Sequence, residues 1–143
     1  TMSGKDSLNA THSDSVMWND YLISISNNRE CIGAPIYFFF RLNSAEITDA
    51  SQELNIDEIA RIVKKYDLRI RITGAADSAT GSSVRNTELS NSRASFIGQQ
   101  LLNRSIESSH IIMNAKGGIA DYASNEMNRY TKVELFFEPN KPK

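Results

Sequence analysis

The six residues Leu68-Arg69-Ile70-Arg71-Ile72-Thr73 alternate apolar and polar, and a long helical pattern flanks them on either side. Alternation with a period of two turns every second side chain to one face, so a strand is predicted here with Leu68, Ile70 and Ile72 facing a core. Upstream, Thr48 or Asp49 can cap a helix running to about Tyr66, in which Ile56, Ile59, Ala60 and Val63 keep i, i+3, i+4, i+7 spacing. Downstream, a second helix from about Asn86 to Asn103 has Leu89, Ala94, Ile97 and Leu101 to bury. A strand set between two amphipathic helices favours a mixed sheet with helices packed on one face, joined by right-handed crossovers.

Three further strands complete the pattern. Ile36-Tyr37-Phe38-Phe39-Phe40, bounded by Pro35 and Arg41, reads as a buried strand. Ile111 to Asn114 is a short strand, with Gly117-Gly118 expected to turn the chain after it. Lys132 to Phe137 is the last strand, before Pro139 and Pro142. The predicted fold is α+β, in the order β-α-β-α-β-β. Gly74 to Arg85, with two glycines and many small polar residues, is expected to be a loop. These elements place one domain at residues 31–139, a tail or linker at 1–30 and a short tail at 140–143. Within the linker, Met17, Trp18, Tyr21, Leu22 and Ile25 recur at helical spacing. Tyr21, Ile23 and Ile25 also alternate as in a strand, and a short helix is the favoured reading.

Charge and composition exclude several classes of function. A chain of 143 residues is long enough to bury a core without disulfide or metal staples. Its formal net charge of -1, with scattered Lys and Arg, provides no basic field for nucleic acid or an anionic membrane. Cys31 is the only cysteine, so no internal disulfide and no zinc cluster is expected. The longest apolar run, Ala34 to Phe40, is far too short to cross a bilayer. Thr1 to Asp14 lacks the apolar core of a signal peptide, so any export signal has been removed or lies outside these residues. His12 and His110 have no Ser, Cys or acid beside them in a catalytic order. Gly117-Gly118 lacks the following Lys-Ser/Thr of a phosphate-binding loop. No enzyme activity, metal or cofactor is expected.

The chemically informative stretch runs from Gly74-Ala75-Ala76-Asp77 through Gly81 to Asn86-Thr87-Glu88-Leu89-Ser90-Asn91-Ser92-Arg93-Ala94. It puts an acid beyond the end of a strand and a base on the next helix. Asn86, Ser90 and Arg93 lie at i, i+4 and i+7, close to two turns, and so share a face. A carboxylate and a guanidinium converging at a strand end form a clamp for a zwitterion. The acid accepts from an ammonium group, and the guanidinium fork pairs with a carboxylate.

This stretch resembles the signature of the OmpA C-terminal domain family: Gly-x-x-Asp, a Gly-containing loop, then Asn-x-x-Leu-Ser-x-x-Arg-Ala. Asp77, Asn86, Leu89, Ser90, Arg93 and Ala94 match it. Phe40 to Ser44 resembles the family's first strand and following turn, and Asn128-Arg129 with Val133-Glu134-Leu135 resembles its ending. The likeness covers roughly residues 33–137. It implies a non-catalytic domain of the periplasm that binds the peptidoglycan stem peptide and anchors an outer-membrane or envelope protein to the cell wall. It further implies that Asp77 contacts the amine of the diaminopimelate residue and Arg93 its carboxylate, with Asn86 as a supporting polar contact.

The chain departs from the family pattern in three places. Ala75-Ala76 stand where many members carry an aromatic or His followed by Thr. The loop from Asp77 to Asn86 is one residue longer than in common members. Asn128-Arg129-Tyr130-Thr131-Lys132 spreads out what is usually Asn-Arg-Arg, and Arg129 is expected to be structural or solvated. Taken singly, Asp77 suits a turn and Asn86 a helix cap. A diverged domain with a structural or protein-interaction role is therefore the alternative.

Overall fold

The computed structural model describes residues 31–137. The expected helix around Trp18 and the tails at 1–30 and 140–143 lie outside the described residues. Four strands, β1 (Ile36–Phe39), β2 (Arg69–Asp77), β3 (Ile111–Ile119) and β4 (Tyr130–Phe136), form one sheet in the order β1-β4-β2-β3. β4 pairs antiparallel with both β1 and β2, whereas β2 and β3 are parallel. Parallel neighbours need a crossover. Helix α2 (Ser83–Asn103) supplies it, and helix α1 (Glu53–Tyr66) joins β1 to β2. The α+β class and the β-α-β-α-β-β order are as the sequence predicts.

The helices take the spans and faces that their local chemistry dictates. Asp49 accepts hydrogen bonds from the Ser51 N–H at 3.0 Å and the Ser51 hydroxyl at 2.7 Å, starting a short 3-10 turn (Ala50–Gln52) that leads into α1. Ile56, Ile59, Ala60 and Val63 are its buried face. Asp67 ends the helix in the left-handed conformation, at φ +56, with its N–H on the Val63 carbonyl. Ile56, Ile70, Ile72, Ile97, Leu101 and Val133 are fully buried between helices and sheet. Burying side chains of this size stabilises by about 1.5–3 kcal/mol each.

Helix α2 changes character along its length. Its buried residues recur at helical spacing throughout, but three of the four in the first half are polar, Asn86, Ser90 and Arg93 beside Leu89, whereas Ala94, Ile97, Gly98 and Leu101 fill the second. The C-terminal half is core; the N-terminal half carries polar groups into the interior.

Several boundaries differ from the sequence expectation. β2 continues through Gly74 to Asp77 instead of giving way to a loop at Gly74. Gly and Ala have low strand propensity and no alternation to signal a strand. Pairing with β3 carries β2 on: Gly74 faces Ala115, Ala76 faces Gly118 and Asp77 faces Ile119. Gly74 also lets α2 approach closely, because a Cβ there would stand 2.0 Å from the Ser90 carbonyl oxygen. α2 begins at Ser83, capped by the Ser82 side chain accepting from the Arg85 N–H at 3.1 Å, so Asn86 lies inside the helix and is not its cap.

The expected turn at Gly117-Gly118 is likewise inside β3. One extra residue on β3 between the Gly74 and Ala76 pairs makes a bulge, and Gly117 takes φ +72 there. β4 starts at Tyr130 and ends at Phe136, two residues earlier and one residue earlier than expected, because its first two pairs are with β1: Phe39 with Tyr130 and Phe38 with Thr131. Among the described residues, no helix is long and apolar enough to cross a membrane.

Candidate functional site

The turn after β1, the C-terminal end of β2 with the loop that follows it, the N-terminal half of α2 and the chain entering β4 meet around one cavity of about 280 Å³. Asp77, Asn86 and Arg93 all line it, together with Arg85, Thr80 and Arg129. The three residues singled out in the sequence are thus brought together. They are 2%, 3% and 1% exposed, so each keeps its polar atoms in the interior next to a solvent-connected space.

Arg93 is held by backbone alone. Its Nε donates to the Ser44 carbonyl at 2.9 Å, Nη1 to the Ala75 carbonyl at 3.0 Å and Nη2 to the Arg41 carbonyl at 3.1 Å. The Ala75 carbonyl lies one residue past Gly74–Thr131, the last β2–β4 pair. The guanidinium also stacks 5.6 Å from the Phe40 ring centroid. A guanidinium has five N–H donors, so two remain, one on each terminal nitrogen. Among the described residues Arg93 forms no salt bridge with a carboxylate. Burial pulls its pKa down from the ordinary guanidinium value to about 10, the charge of Arg129 adds to that fall, and Asp77 opposes it. Arg93 stays charged at neutral pH.

Asp77 is placed by the end of β2 and by the turn after it. One carboxylate oxygen accepts from the Ala79 N–H at 2.8 Å; the other accepts from the Thr80 hydroxyl at 3.2 Å and from Arg129 Nη2 at 3.1 Å. The turn-forming role and the place in the cavity wall therefore coexist in one side chain. A carboxylate offers about four lone-pair sites, so about one is left for a further donor. Asn86 makes no side-chain hydrogen bond among the described residues, although it is buried and lines the cavity.

Of the two roles expected for Arg129, structural or solvated, the structure shows the first. It is not solvated: it sits at the cavity with its side chain 13% exposed and makes a structural ion pair with Asp77. Its Nε is buried without a hydrogen-bond partner. Asn128 sets its approach: the Asn128 side chain accepts from the Tyr122 N–H at 3.0 Å and donates to the Tyr122 carbonyl at 3.1 Å, closing the loop before β4. The Asn-Arg pair in the ending of the motif was the available signal. Arg85 and the turn at Leu42-Asn43 also line the cavity. Arg85 lies outside the matched motif positions and carried no signal of its own.

Chemically, the cavity gathers three guanidiniums around one carboxylate that is already paired. It suits a guest with a carboxylate for Arg93 and a donor for Asp77. Among the described residues, no three His, Cys, Asp or Glu side chains converge to hold a metal ion.

The pattern of the OmpA family matches residues 39–131, which includes Asp77, Asn86, Leu89, Ser90, Arg93, Ala94 and Asn128-Arg129 and ends before Val133-Glu134-Leu135. The chain belongs to the OmpA family. Outer membrane protein 40 of Porphyromonas gingivalis is 34% identical to it over 92 residues, 64% of this chain. The match covers 24% of that relative, so this OmpA-family chain spans about a quarter of its length. Among solved structures, the peptidoglycan-associated lipoprotein of Burkholderia pseudomallei superposes with a TM-score of 0.61 at 23% identity, over 69% of this chain and 88% of the other. The cell wall anchor of the type VI secretion system (T6SS) of Pseudomonas aeruginosa gives 0.61 at 18% identity, over 86% and 96%. The OmpA-like domain of FopA1 from Francisella tularensis gives 0.61 at 16% identity, over 76% and 88%. These likenesses show a shared OmpA fold.

Proposed function

We propose that this OmpA-family domain binds peptidoglycan without catalysis, taking the diaminopimelate of the stem peptide in the cavity between β2 and α2. The observation that carries this reading is Arg93. A buried charge is ordinarily paired with an opposite charge. Arg93 has three neutral carbonyls and no carboxylate, and it keeps two N–H donors beside an open cavity. A ligand carboxylate completes that set. The ligand amine then donates to the remaining site on Asp77, and the Asn86 amide provides a third polar contact.

Family membership and the names of two fold relatives, a peptidoglycan-associated lipoprotein and a cell wall anchor, support the same reading. The domain would work in the periplasm, tethering an outer-membrane or envelope protein to the wall. It needs no cofactor, and it has neither the basic field that nucleic acid requires nor a described span for a membrane.

One observation favours the alternative of a diverged domain with little peptidoglycan affinity. Asp77 is already paired with Arg129 at 3.1 Å, so an amine must share or displace that contact. Calorimetric titration with a muropeptide ending in diaminopimelate separates the two readings. We expect saturable binding that is lost when the side-chain carboxylate of the ligand is amidated. No heat and no NMR shift at millimolar ligand would leave the diverged reading standing.

A further inference from the structure

The loop between β1 and α1 belongs to neither element, yet it supplies two of the three acceptors that hold Arg93. Phe40 and Ile47 pair across its base. The Arg41 N–H donates to the Glu46 carbonyl at 2.9 Å, and the Glu46 N–H to the Ser44 hydroxyl at 2.8 Å. Beyond these ties the apex Leu42-Asn43 projects outward. Leu42 is 56% exposed, and Asn43 is in the left-handed region at φ +53. The carbonyls flanking that apex, of Arg41 and Ser44, are the ones that accept from Arg93. The apex is thus bracketed by two of the three acceptors that hold the guanidinium.

One side chain reaches the apex from the helix that carries Arg93. Arg85, in the first turn of α2, donates from Nε to the Asn43 side-chain oxygen at 2.9 Å and from Nη2 to the Asn43 carbonyl at 3.5 Å. We propose that Arg85 is a positioning residue for the cavity: by gripping Asn43 it fixes the loop whose Arg41 and Ser44 carbonyls aim Arg93 at an incoming carboxylate. The inference rests on the reading that Arg93 receives that carboxylate. A fork from a rigid helix to a left-handed loop residue restrains the apex in two directions. A binding group needs placement to within about 0.5 Å, and two acceptors that move together would otherwise carry Arg93 with them. Arg85 is itself exposed, and its contact with Glu88 at 3.4 Å is a surface pair that adds little to stability. Its effect on positioning is therefore separable from any effect on folding.

The test uses the full chain with Arg85→Ala, Asn43→Gly and the double variant. Glycine tolerates the φ of Asn43, removes its side-chain acceptor and leaves the charge of Arg85 in place. The first readout needs no ligand: hydrogen exchange of the Arg93 Nε–H, followed by NMR. The second is calorimetric affinity for a muropeptide carrying L-Ala-γ-D-Glu-meso-diaminopimelate. We expect faster exchange in both single variants, affinity weakened by about fivefold to tenfold, and a double variant no weaker than the weaker single. Unchanged Arg93 exchange in Arg85→Ala overturns the proposal. So does an Asn43→Gly protein that matches the wild type while Arg85→Ala is weakened, since Arg85 would then act only as a charge. Failure of the wild type to bind the muropeptide sinks the peptidoglycan reading instead, and the exchange measurement still decides the role of Arg85.

Discussion

Arg129 Nη2 lies 3.1 Å from the Asp77 carboxylate, linking the chain that enters β4 to the end of β2 across 52 positions of sequence. The pair neutralises the one acid of the cavity and leaves Arg93 as the charge without an anionic partner. The polarity of the site is set by this relationship. An arriving carboxylate meets an open guanidinium, whereas an arriving amine meets a carboxylate that already has a partner.

Removing Arg129 tests that relationship through stability. Arg129→Ala leaves Asp77, 2% exposed, with only the Ala79 and Thr80 contacts. Breaking a largely buried pair from one side costs about 2–4 kcal/mol, mostly through the charge left behind. Urea denaturation of the variant is expected to show a loss in that range. A loss below about 0.5 kcal/mol, the range of neutral surface changes, would mean that water replaces Arg129 fully.

Gly74→Ala should be among the most damaging small substitutions in the domain. The added Cβ would meet the Ser90 carbonyl oxygen at 2.0 Å and the Ala94 nitrogen at 3.0 Å, both backbone atoms of α2. Helix and strand must separate just where Arg93 and Ala75 are joined. Overpacking of this kind costs about 3 kcal/mol. Thermal melting checks it, and a variant melting within a degree or two of the wild type contradicts this contact.

Ser82→Ala removes the side chain that accepts from the Arg85 N–H at 3.1 Å. Loss of an N-cap destabilises by about 1 kcal/mol. The first turn of α2, with Arg85 and Asn86, should fray before the rest of the helix. Amide exchange in residues 83–86 should quicken while that of Ile97 and Leu101 holds; uniform acceleration along α2 is the contrary result.

The pKa of Arg93 gives a pH dependence with a definite sign. Burial lowers it from the ordinary guanidinium value to about 10, so the folded state releases this proton before the unfolded state does as pH rises. The charged guanidinium therefore counts against stability at neutral pH, and the penalty lifts only above about pH 10. A bound carboxylate offsets the same penalty. The rise in melting temperature given by an acylated, amine-free carboxylate analogue should thus be largest near pH 7 and shrink above about pH 10. A constant rise across that range would mean that Arg93 does not carry the anion.

Much of the architecture was legible along the chain. Leu68 to Thr73 announced β2 by alternation, and Ile56 to Val63 announced α1 by helical spacing, because each period reflects one local backbone geometry. Asp77, Asn86 and Arg93 were legible as a spacing and as a family motif, and the fold brings all three to one cavity. The extension of β2 through Gly74-Ala75-Ala76 was not legible. Those residues have no alternation to read, and their strand geometry comes from pairing with β3. The glycines of β3 misled for a related reason: a bulge and a turn draw on the same residue.

By itself, then, the sequence determined the kind and order of the elements and the spacing of Asp77, Asn86 and Arg93, because those depend on neighbours within one or two turns. Only the tertiary structure decided how the charges are partnered. The acceptors of Arg93 lie 49, 18 and 52 positions away, and the partner of Asp77 lies 52 positions away. No local period encodes such distances. They are fixed when the sheet order β1-β4-β2-β3 sets the chain entering β4 beside the end of β2 and folds the Arg41–Ser44 loop over α2. Arg93 is left without an anion, and Asp77 is given one partner already.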